Sequence, residues 1–271
     1  MDRFGYHFPE RDSGVGYVIM EAKKSLGQNF LTSQSALAII IETGDIKKGD
    51  FVLEIGPGKG ALTAKLLEAG AQVVAVEKDH RLIPELKSTF ENHLKSGLLE
   101  IKEQDILEFD AAPLSQPYKV IANIPYYITG QILRMFLETE NQPEKLVLMI
   151  QKEVAERIVA RDGKESILSI SVKAYGEPKL IKTVPRGAFS PMPKVDSAII
   201  SIGNINRSQF NSREDELKFF DTVRRGFGQK RKQLKNNLGC SADILTSCGI
   251  EEKSRAEELT VDQWLCLSRK I

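Results

Sequence analysis

The sequence predicts a doubly wound α/β sheet followed by a small all-helical domain, and three observations carry that prediction. Short apolar runs alternate with segments of helical spacing as far as about Asn204. The first of these runs leads straight into a glycine-rich turn, Gly56-Pro57-Gly58-Lys59-Gly60. Beyond Asn204 the chain becomes charged and helical in spacing, with few β-branched runs.

The elements follow in order. Ser33–Thr43 has the apolar spacing of a helix that buries one face, and Phe51–Ile55 then reads as a strand buried on both faces. Ala61–Glu68 is a second helix, Val73–Val76 a second strand and Arg81–Leu94 a third helix. Leu99–Lys102 and Lys119–Ala122 continue the parallel series. Gln131–Glu138 has helical spacing and leads to the strand Leu146–Ile150. Two further β-prone runs, Lys179–Val184 and Ala198–Ile202, flank a proline-rich loop and suit an antiparallel pair that completes the sheet. The polar stretch Asn204–Arg213 serves as linker to a helical unit of about 60 residues. The domains expected are thus an N-terminal extension (1–22), an α/β domain (23–204) and a helical domain (205–271).

Composition narrows the classes. A chain of 271 residues with 41% hydrophobic side chains can bury a sizeable core. The net charge is only +1, so any nucleic-acid surface must come from local clustering. The three cysteines, Cys240, Cys248 and Cys266, lack metal-like spacing and read as buried thiols in a reducing cytoplasm. No metal site is expected. No apolar run approaches the roughly 20 residues of a membrane span. The first 20 residues carry Asp2, Glu10 and Asp12 and no apolar signal core; they read as a weakly structured extension, with Met20 an alternative start.

Four candidate positions fall where strands end. The turn after Phe51–Ile55 matches the loose dinucleotide fingerprint, with Gly56, Gly58 and Ala61 in the small positions. It fails as a phosphate-binding P-loop, because Gly60 stands where serine or threonine is required. A plain strand-to-helix turn would need the same glycines. Glu77 ends the next strand and can accept hydrogen bonds from two ribose hydroxyls. Asp105 follows the third strand and can accept from an adenine amine; either carboxylate alone reads equally as a solvated strand end. Their succession on one rim favours a ligand, because open α/β sheets bind ligands at the carboxyl ends of strands.

Asn123-Ile124-Pro125-Tyr126 follows the fourth strand on the same rim, about 65 residues after the glycine turn. An adenine amine is a poor nucleophile, its lone pair delocalised into the ring. Acceptors that grip both amine hydrogens, the Asn123 Oδ1 and the Ile124 carbonyl, favour a more pyramidal nitrogen, while Tyr126 stacks on the base and Pro125 fixes the turn. With an adenosine-containing cofactor beside it, this arrangement suits methyl transfer to an amino nitrogen of a nucleobase. Phe189-Ser190-Pro191-Met192-Pro193-Lys194-Val195-Asp196-Ser197 is a second stiff loop, suited either to an aromatic wall for the other face of a flipped base or to a rigid connector whose Phe189 is core. Arg224 to Asn237 contains Arg224, Arg225, Lys230, Arg231, Lys232 and Lys235; a solvated helix face is the usual reading of such a run, but the absence of any acidic residue favours contact with RNA phosphates. Arg134, Lys152 and Arg157 are possible extensions of that patch that the sequence does not place.

As a set, these residues resemble the small-subunit ribosomal RNA adenine dimethyltransferases of the KsgA type. The resemblance begins at Lys24-Ser25-Leu26-Gly27-Gln28-Asn29-Phe30-Leu31 and runs through the glycine turn and Asn123–Tyr126. It continues with Gln151–Arg157, Phe189–Ala198 and Phe227–Leu238 and closes at Glu258-Leu259-Thr260. It implies a Rossmann-like methyltransferase sheet, S-adenosylmethionine as cofactor and dimethylation of two adjacent adenosines near the 3′ end of the 16S-type RNA. The implied partner is the small-subunit RNA of a pre-30S particle; the cysteine pattern and the lack of a signal core suit a cytoplasmic setting, and a monomer is the default expectation. It also implies that Asn29 and Leu31 close over the cofactor, that Gly56 approaches its methionine part, Glu77 its ribose and Asp105 its adenine. Asn123 would lie between cofactor and target amine, and Tyr126 and Phe189 would sandwich the adenine. Lys230 stands where the family often has arginine, and Gly130-Gln131 where small or hydroxyl residues and proline are common. The related large-subunit methyltransferases of macrolide resistance share the cofactor and base motifs, but Lys194–Ala198 and Asn236-Asn237-Leu238 look more like the small-subunit enzymes. A non-catalytic assembly factor on the same fold and a nicotinamide oxidoreductase are the readings from other classes. Intact Asn123, Pro125 and Tyr126 argue against the first, and the second leaves the tyrosine motif unexplained.

Overall fold

The computed structural model describes residues 28–114, 117–229 and 231–271. The expectations for the extension 1–22, for Lys24–Gly27 and for Lys230 lie outside the described residues.

In chain order the elements are β1 (Phe30–Leu31), α1 (Gln34–Gly44), β2 (Phe51–Ile55), α2 (Ala61–Glu68), β3 (Gln72–Glu77), α3 (Ile83–Thr89), α4 (Glu91–Lys95), β4 (Leu99–Glu103) and β5 (Tyr118–Asn123). Then come α5 (Thr129–Leu137), β6 (Lys145–Gln151), α6 (Lys152–Ile158), α7 (Ile167–Lys173), β7 (Glu177–Val184), β8 (Phe189–Ser190) and β9 (Ser197–Gly203). Four helices close the chain: α8 (Arg213–Gly226), α9 (Leu234–Leu238), α10 (Ala242–Ser247) and α11 (Val261–Lys270).

Seven strands form one sheet in the order β4-β3-β2-β5-β6-β9-β7. The first five are parallel, while β9 runs antiparallel to both β6 and β7, as the sequence predicts for that pair. The central strands β2, β5 and β6 are largely apolar because both faces are covered, whereas the outer strands β4 and β7 carry charged residues. Leu53, Val120 and Leu148 face a layer built with Ile132 and Phe136 of α5, Ala155 of α6 and Val172 of α7. Their neighbours Val52, Ile121 and Val147 face Leu37 and Ile40 of α1, Leu66 of α2 and Leu86 of α3. Complete burial of each such side chain contributes about 1.5–3 kcal/mol.

Strand order reverses between β2 and β5, the switch point at which open α/β sheets form their ligand crevice. Register levels the strand ends there, with Ile55 opposite both Val76 and Ala122. Gly56, Glu77 and Asn123, each one residue further on, therefore share one rim.

Three differences from the sequence expectations have physical causes. The helix expected over Arg81–Leu94 is two helices, because Phe90 between them leaves helical geometry (φ −110°, ψ 24°) and its ring packs against Gly60. The expected buried thiols Cys248 and Cys266 are instead joined in a disulfide, since the end of α10 packs against α11; Cys240 is a free, half-buried thiol. The stretch Asn204–Arg213 is not merely polar: Phe210 packs edge-on against Tyr175 and Phe219. The C-terminal helices close around Trp264, Phe219, Val223 and Leu234, and Ile170 of α7 and Ala174 at its C-terminal cap belong to the same apolar cluster.

Candidate active site

The rim opens into a cleft of about 440 Å³, within the range of ordinary ligand sites. Asn29, Leu31, Gly56, Gly58, Glu77, Asp105, Asn123, Ile124, Pro125 and Tyr126 all line it. One crevice thus collects residues spread over nearly a hundred positions of chain.

The glycine turn shapes its floor. Gly56 and Gly58 have φ of 64° and 60°, left-handed values that a side chain adopts with strain. A Cβ on Gly56 would meet nothing within 4 Å, so its backbone faces open space in the cleft, whereas one on Gly58 would lie 2.9 Å from the Phe30 ring. The Gly58 N–H donates to Glu77 Oε2 at 3.0 Å and the Asp79 N–H to Glu77 Oε1 at 2.8 Å. Both bonds orient the carboxylate, and each oxygen keeps a lone pair for a ligand hydroxyl. Burial nevertheless raises the Glu77 carboxyl above its ordinary range. Asp79 is held by Arg81, which donates through Nε and Nη2 at 2.8 and 2.6 Å, and by the Gln28 amide at 2.8 Å. The Arg81 contact keeps Asp79 well below the usual carboxylate range, against the opposing effect of burial. Sequence reasoning missed this network, which anchors the chain next to Asn29.

Asp105 stands at the other end of the cleft. Its Oδ1 accepts from the Leu107 N–H at 3.1 Å, while Oδ2 pairs with Lys78 Nζ at 2.5 Å. Burial opposes ionisation, but those two donors outweigh it and hold the carboxyl below its ordinary value. An anionic acceptor is thus ready where the sequence places an adenine amine.

Glu54, two residues before the turn on β2, belongs to the glycine motif but has no role assigned from sequence. It is almost completely buried and accepts from Thr63 Oγ1 at 2.7 Å. Burial pushes its carboxyl up to about 8, so at neutral pH it is a neutral acid, although Thr63 favours the charged form. Between its ordinary 4.5 and about 8 the folded protein holds a proton that the unfolded chain has lost. The contribution of Glu54 to stability therefore declines as pH rises through that window and levels off above it. Glu54→Gln is expected to flatten the decline, read as Tm against pH; an unchanged profile would assign it to Glu77, which shifts in the same direction.

Asn123 and Tyr126 are held by neighbours distant in sequence. Asn123 Nδ2 donates to the Asn29 carbonyl at 3.1 Å, which leaves Oδ1 as the atom able to accept from a ligand. Tyr126 opens a 3-10 turn after Pro125, and its hydroxyl lies 2.7 Å from Ser197 Oγ. Burial raises its phenol, so it stays protonated at neutral pH. The Ser197 contact could not be read from spacing, because it joins the ends of β5 and β9.

Two expectations differ in the structure. Phe189, which the segment reads equally as base wall or as core and the resemblance places against a base, is only 5% exposed, belongs to a core cluster and does not line the cleft. Its strand β8 pairs antiparallel with β1, which sets Phe189 opposite Leu31 in one apolar layer. The basic segment is also partly neutralised by acids outside it. Arg224 and Arg225 approach Asp221 at 3.5 and 3.9 Å, and Lys235 pairs with Glu252 at 2.5 Å. Arg225 Nη2 further donates to the Leu238 carbonyl, tying α8 to α9. Arg231 and Lys232 are exposed and have no carboxylate within 4.0 Å among the described residues.

The sequence profile described as "Ribosomal RNA adenine dimethylase" matches residues 19–271. The chain belongs to this family. Among its relatives, the ribosomal RNA small subunit methyltransferase A of Dehalococcoides mccartyi (strain CBDB1) is 43% identical over 267 residues, covering 93% of this chain and 89% of that protein. The protein of the same description from Clostridioides difficile (strain 630) is 36% identical and covers 100% of this chain and 98% of its own. Similar solved structures include a dimethyladenosine transferase from Plasmodium falciparum, with TM-score 0.76, 29% identity and coverage of 88% and 95%. The 23S rRNA methyltransferase ErmE has TM-score 0.75, 26% identity and coverage of 89% and 99%. As a ribosomal RNA adenine dimethylase by family, the chain is an enzyme of the rRNA methyltransferases on a Rossmann-like sheet. Among the described residues no helix is long and apolar enough to cross a membrane.

Proposed function

We propose that the chain uses S-adenosylmethionine to dimethylate the exocyclic amines of two adjacent adenosines near the 3′ end of 16S-type RNA in an assembling small subunit. The observation that carries this reading is the sharing of one cleft by an acceptor pair, Glu77 and Asp105, and a base-gripping motif, Asn123–Tyr126. Residues 23–204 act as the catalytic unit and 205–271 as the RNA-gripping unit, in a cytoplasmic monomer. Within the basic segment, Arg231 and Lys232 are exposed, lack a carboxylate partner among the described residues and are offered for phosphate contact.

The residues present fit the cofactor. Gly56 allows close approach of its methionine part, Glu77 offers an oriented acceptor to the ribose and Asp105 an anionic acceptor to the adenine amine. Asn29 and Leu31 border the same space from the N-terminal side. When bound, the cofactor supplies an electrophilic methyl group on a sulfonium. Asn123 Oδ1 and the Ile124 carbonyl accept the two amine hydrogens, which localises the nitrogen lone pair toward that methyl. The cofactor would supply the methyl by exchanging its C–S bond for the new N–C bond, and the alkylated nitrogen, held by Asn123 Oδ1 and the Ile124 carbonyl, would then lose its proton to solvent. No strong base is required: Tyr126 stays a neutral phenol and serves as the stacking platform. Positioning and the exclusion of water account for the rate.

Labelled S-adenosylmethionine offered to undermethylated small and large subunits tests the assignment. Dimethyladenosine from the small subunit is expected. Label confined to the large subunit would move the chain to the branch represented by ErmE, and tight binding without transfer would identify an assembly factor.

A further inference from the structure

We propose that Glu216 is a positioning residue for the reaction: with Tyr175 and Arg207 it latches the helical unit to the catalytic sheet at one fixed angle. The role rests on the proposed reaction, in which RNA gripped by one unit must present its adenosines to a cleft in the other.

Glu216 lies in the first turn of α8 and is only 2% exposed. Its carboxylate gathers donors from three segments of chain. The hydroxyl of Tyr175, which follows α7 in the catalytic unit, donates to Oε1. Arg207 Nη2, from the stretch that joins the units, donates to Oε1 and Oε2 at 2.8 and 2.7 Å. Arg213 Nη1, at the start of α8 itself, donates to Oε2 at 2.9 Å. Burial opposes ionisation of Glu216, but Arg207, Tyr175 and Arg213 outweigh it and hold the carboxyl below its ordinary value. Tyr175 is buried too, which raises its phenol and keeps the donated proton in place. The Tyr175 carbonyl accepts from the Asn206 N–H at 2.9 Å, so the same residue also holds the backbone of the joining stretch.

Apolar packing alone would not set this angle. Ile170 and Ala174 join the helical cluster, and Phe210 and Phe220 pack against both that cluster and a layer of the sheet. Such contacts are non-directional and tolerate sliding. Closure is also incomplete, because a groove of about 650 Å³ is lined by Leu133 and Leu137 of α5, Leu168 of α7 and Leu217 and Phe220 of α8. The catalytic unit reaches the helical unit again at Glu257, whose carbonyl accepts from the Glu165 N–H at 2.8 Å and whose carboxylate lies 3.4 Å from Lys164 Nζ. Lys164 is exposed, so that ion pair contributes little. The single backbone bond is a pivot, and the Glu216 hub is the directional contact that stops rotation about it. Selecting one arrangement among several is the use to which buried charged networks are best suited.

The test is the distance between the units, read by electron spin resonance from labels at Ser88→Cys in α3 and Lys253→Cys in the helical unit, with Cys240→Ser removing the free thiol. Methyl transfer to undermethylated small subunits and S-adenosylhomocysteine affinity are measured in parallel. Tyr175→Phe removes only the hydroxyl and keeps the ring stacked on Phe220. It and Glu216→Gln are expected to broaden the distance distribution and to lower kcat/KM for the subunit by about 10- to 100-fold, the scale on which misplacing a substrate by about 1 Å acts. Cofactor affinity should stay as in the parent, which also reports an intact catalytic unit. Arg213→Gln is the control, since its bond lies within α8, and both distance and kcat/KM should hold. An unchanged distribution in both hub variants, a broadened one with full kcat/KM, or equal losses in Arg213→Gln would each overturn the positioning role. A parent chain that transfers no methyl would instead overturn the proposed reaction, while the distances still decide whether the latch exists.

Discussion

Asn123→Ala is expected to lower kcat for methyl transfer by about 100- to 1,000-fold, the usual effect of removing one preorganised polar group from a reacting centre. The side chain is fixed before substrate arrives, because Nδ2 is committed to the Asn29 carbonyl at 3.1 Å. Its Oδ1 therefore needs no reorganisation to accept an amine hydrogen. Cofactor affinity should fall far less than kcat, since Glu77 and Asp105 keep their geometry in the variant. Stability should drop by only about 1 kcal/mol, the scale of one lost hydrogen bond. Single-turnover transfer to undermethylated small subunits, with calorimetry of S-adenosylhomocysteine binding, measures both quantities. A kcat within tenfold of the parent would show that Asn123 does not grip the amine.

Gly226→Ala should give the largest loss of stability among the glycine substitutions in helices. Elsewhere in a helix that change is favourable, because alanine restricts the unfolded chain. At Gly226 the added Cβ would lie 2.2 Å from Trp264 Cη2, 2.8 Å from Cζ3 and 3.0 Å from Leu234 Cδ1. Trp264 cannot yield easily: it is fully buried and stacked on Phe227 with centroids 5.6 Å apart. Overpacking of this kind costs about 1–3 kcal/mol, and each kcal/mol lowers Tm by about 2–4 °C in a chain of this size. Gly130→Ala in α5 is the control, because its Cβ would meet nothing within 4 Å and Tm should hold or rise slightly. Equal losses in both variants would refute the packing argument.

The sheet was legible because burial on both faces writes itself as apolar runs, and four of the strands extend only a residue or so beyond those runs. The shared rim of the cleft was legible for a related reason: in a parallel sheet, residues just past successive strands must lie side by side, so Gly56, Glu77 and Asn123 could be grouped from chain position. What stayed hidden depends on contacts between distant segments. The two-residue strands β1 and β8 are too short to carry a pattern, and their pairing moved Phe189 from the expected base wall into the core. Ser197 beneath Tyr126 joins positions 71 apart. The basic segment looked uncompensated because its counter-ions, Asp221 and Glu252, lie outside it. Glu54 gave no signal as a neutral acid, since its state depends on burial and on Thr63.

The small β1–β8 ladder limits how the two ends of the site can change. Thr32 donates to the Ala188 carbonyl through both its N–H and its hydroxyl, at 2.9 and 3.0 Å, and Phe30 lies opposite Ser190. Leu31 borders the cleft, while Ser190 begins the loop that ends in the hydroxyl holding Tyr126. Under the proposed reaction, an opening of Phe30–Leu31 to admit the methyl donor would strain those bonds and the segment leading to Tyr126. Exchange of the donor and retention of the acceptor would thus be mechanically coupled.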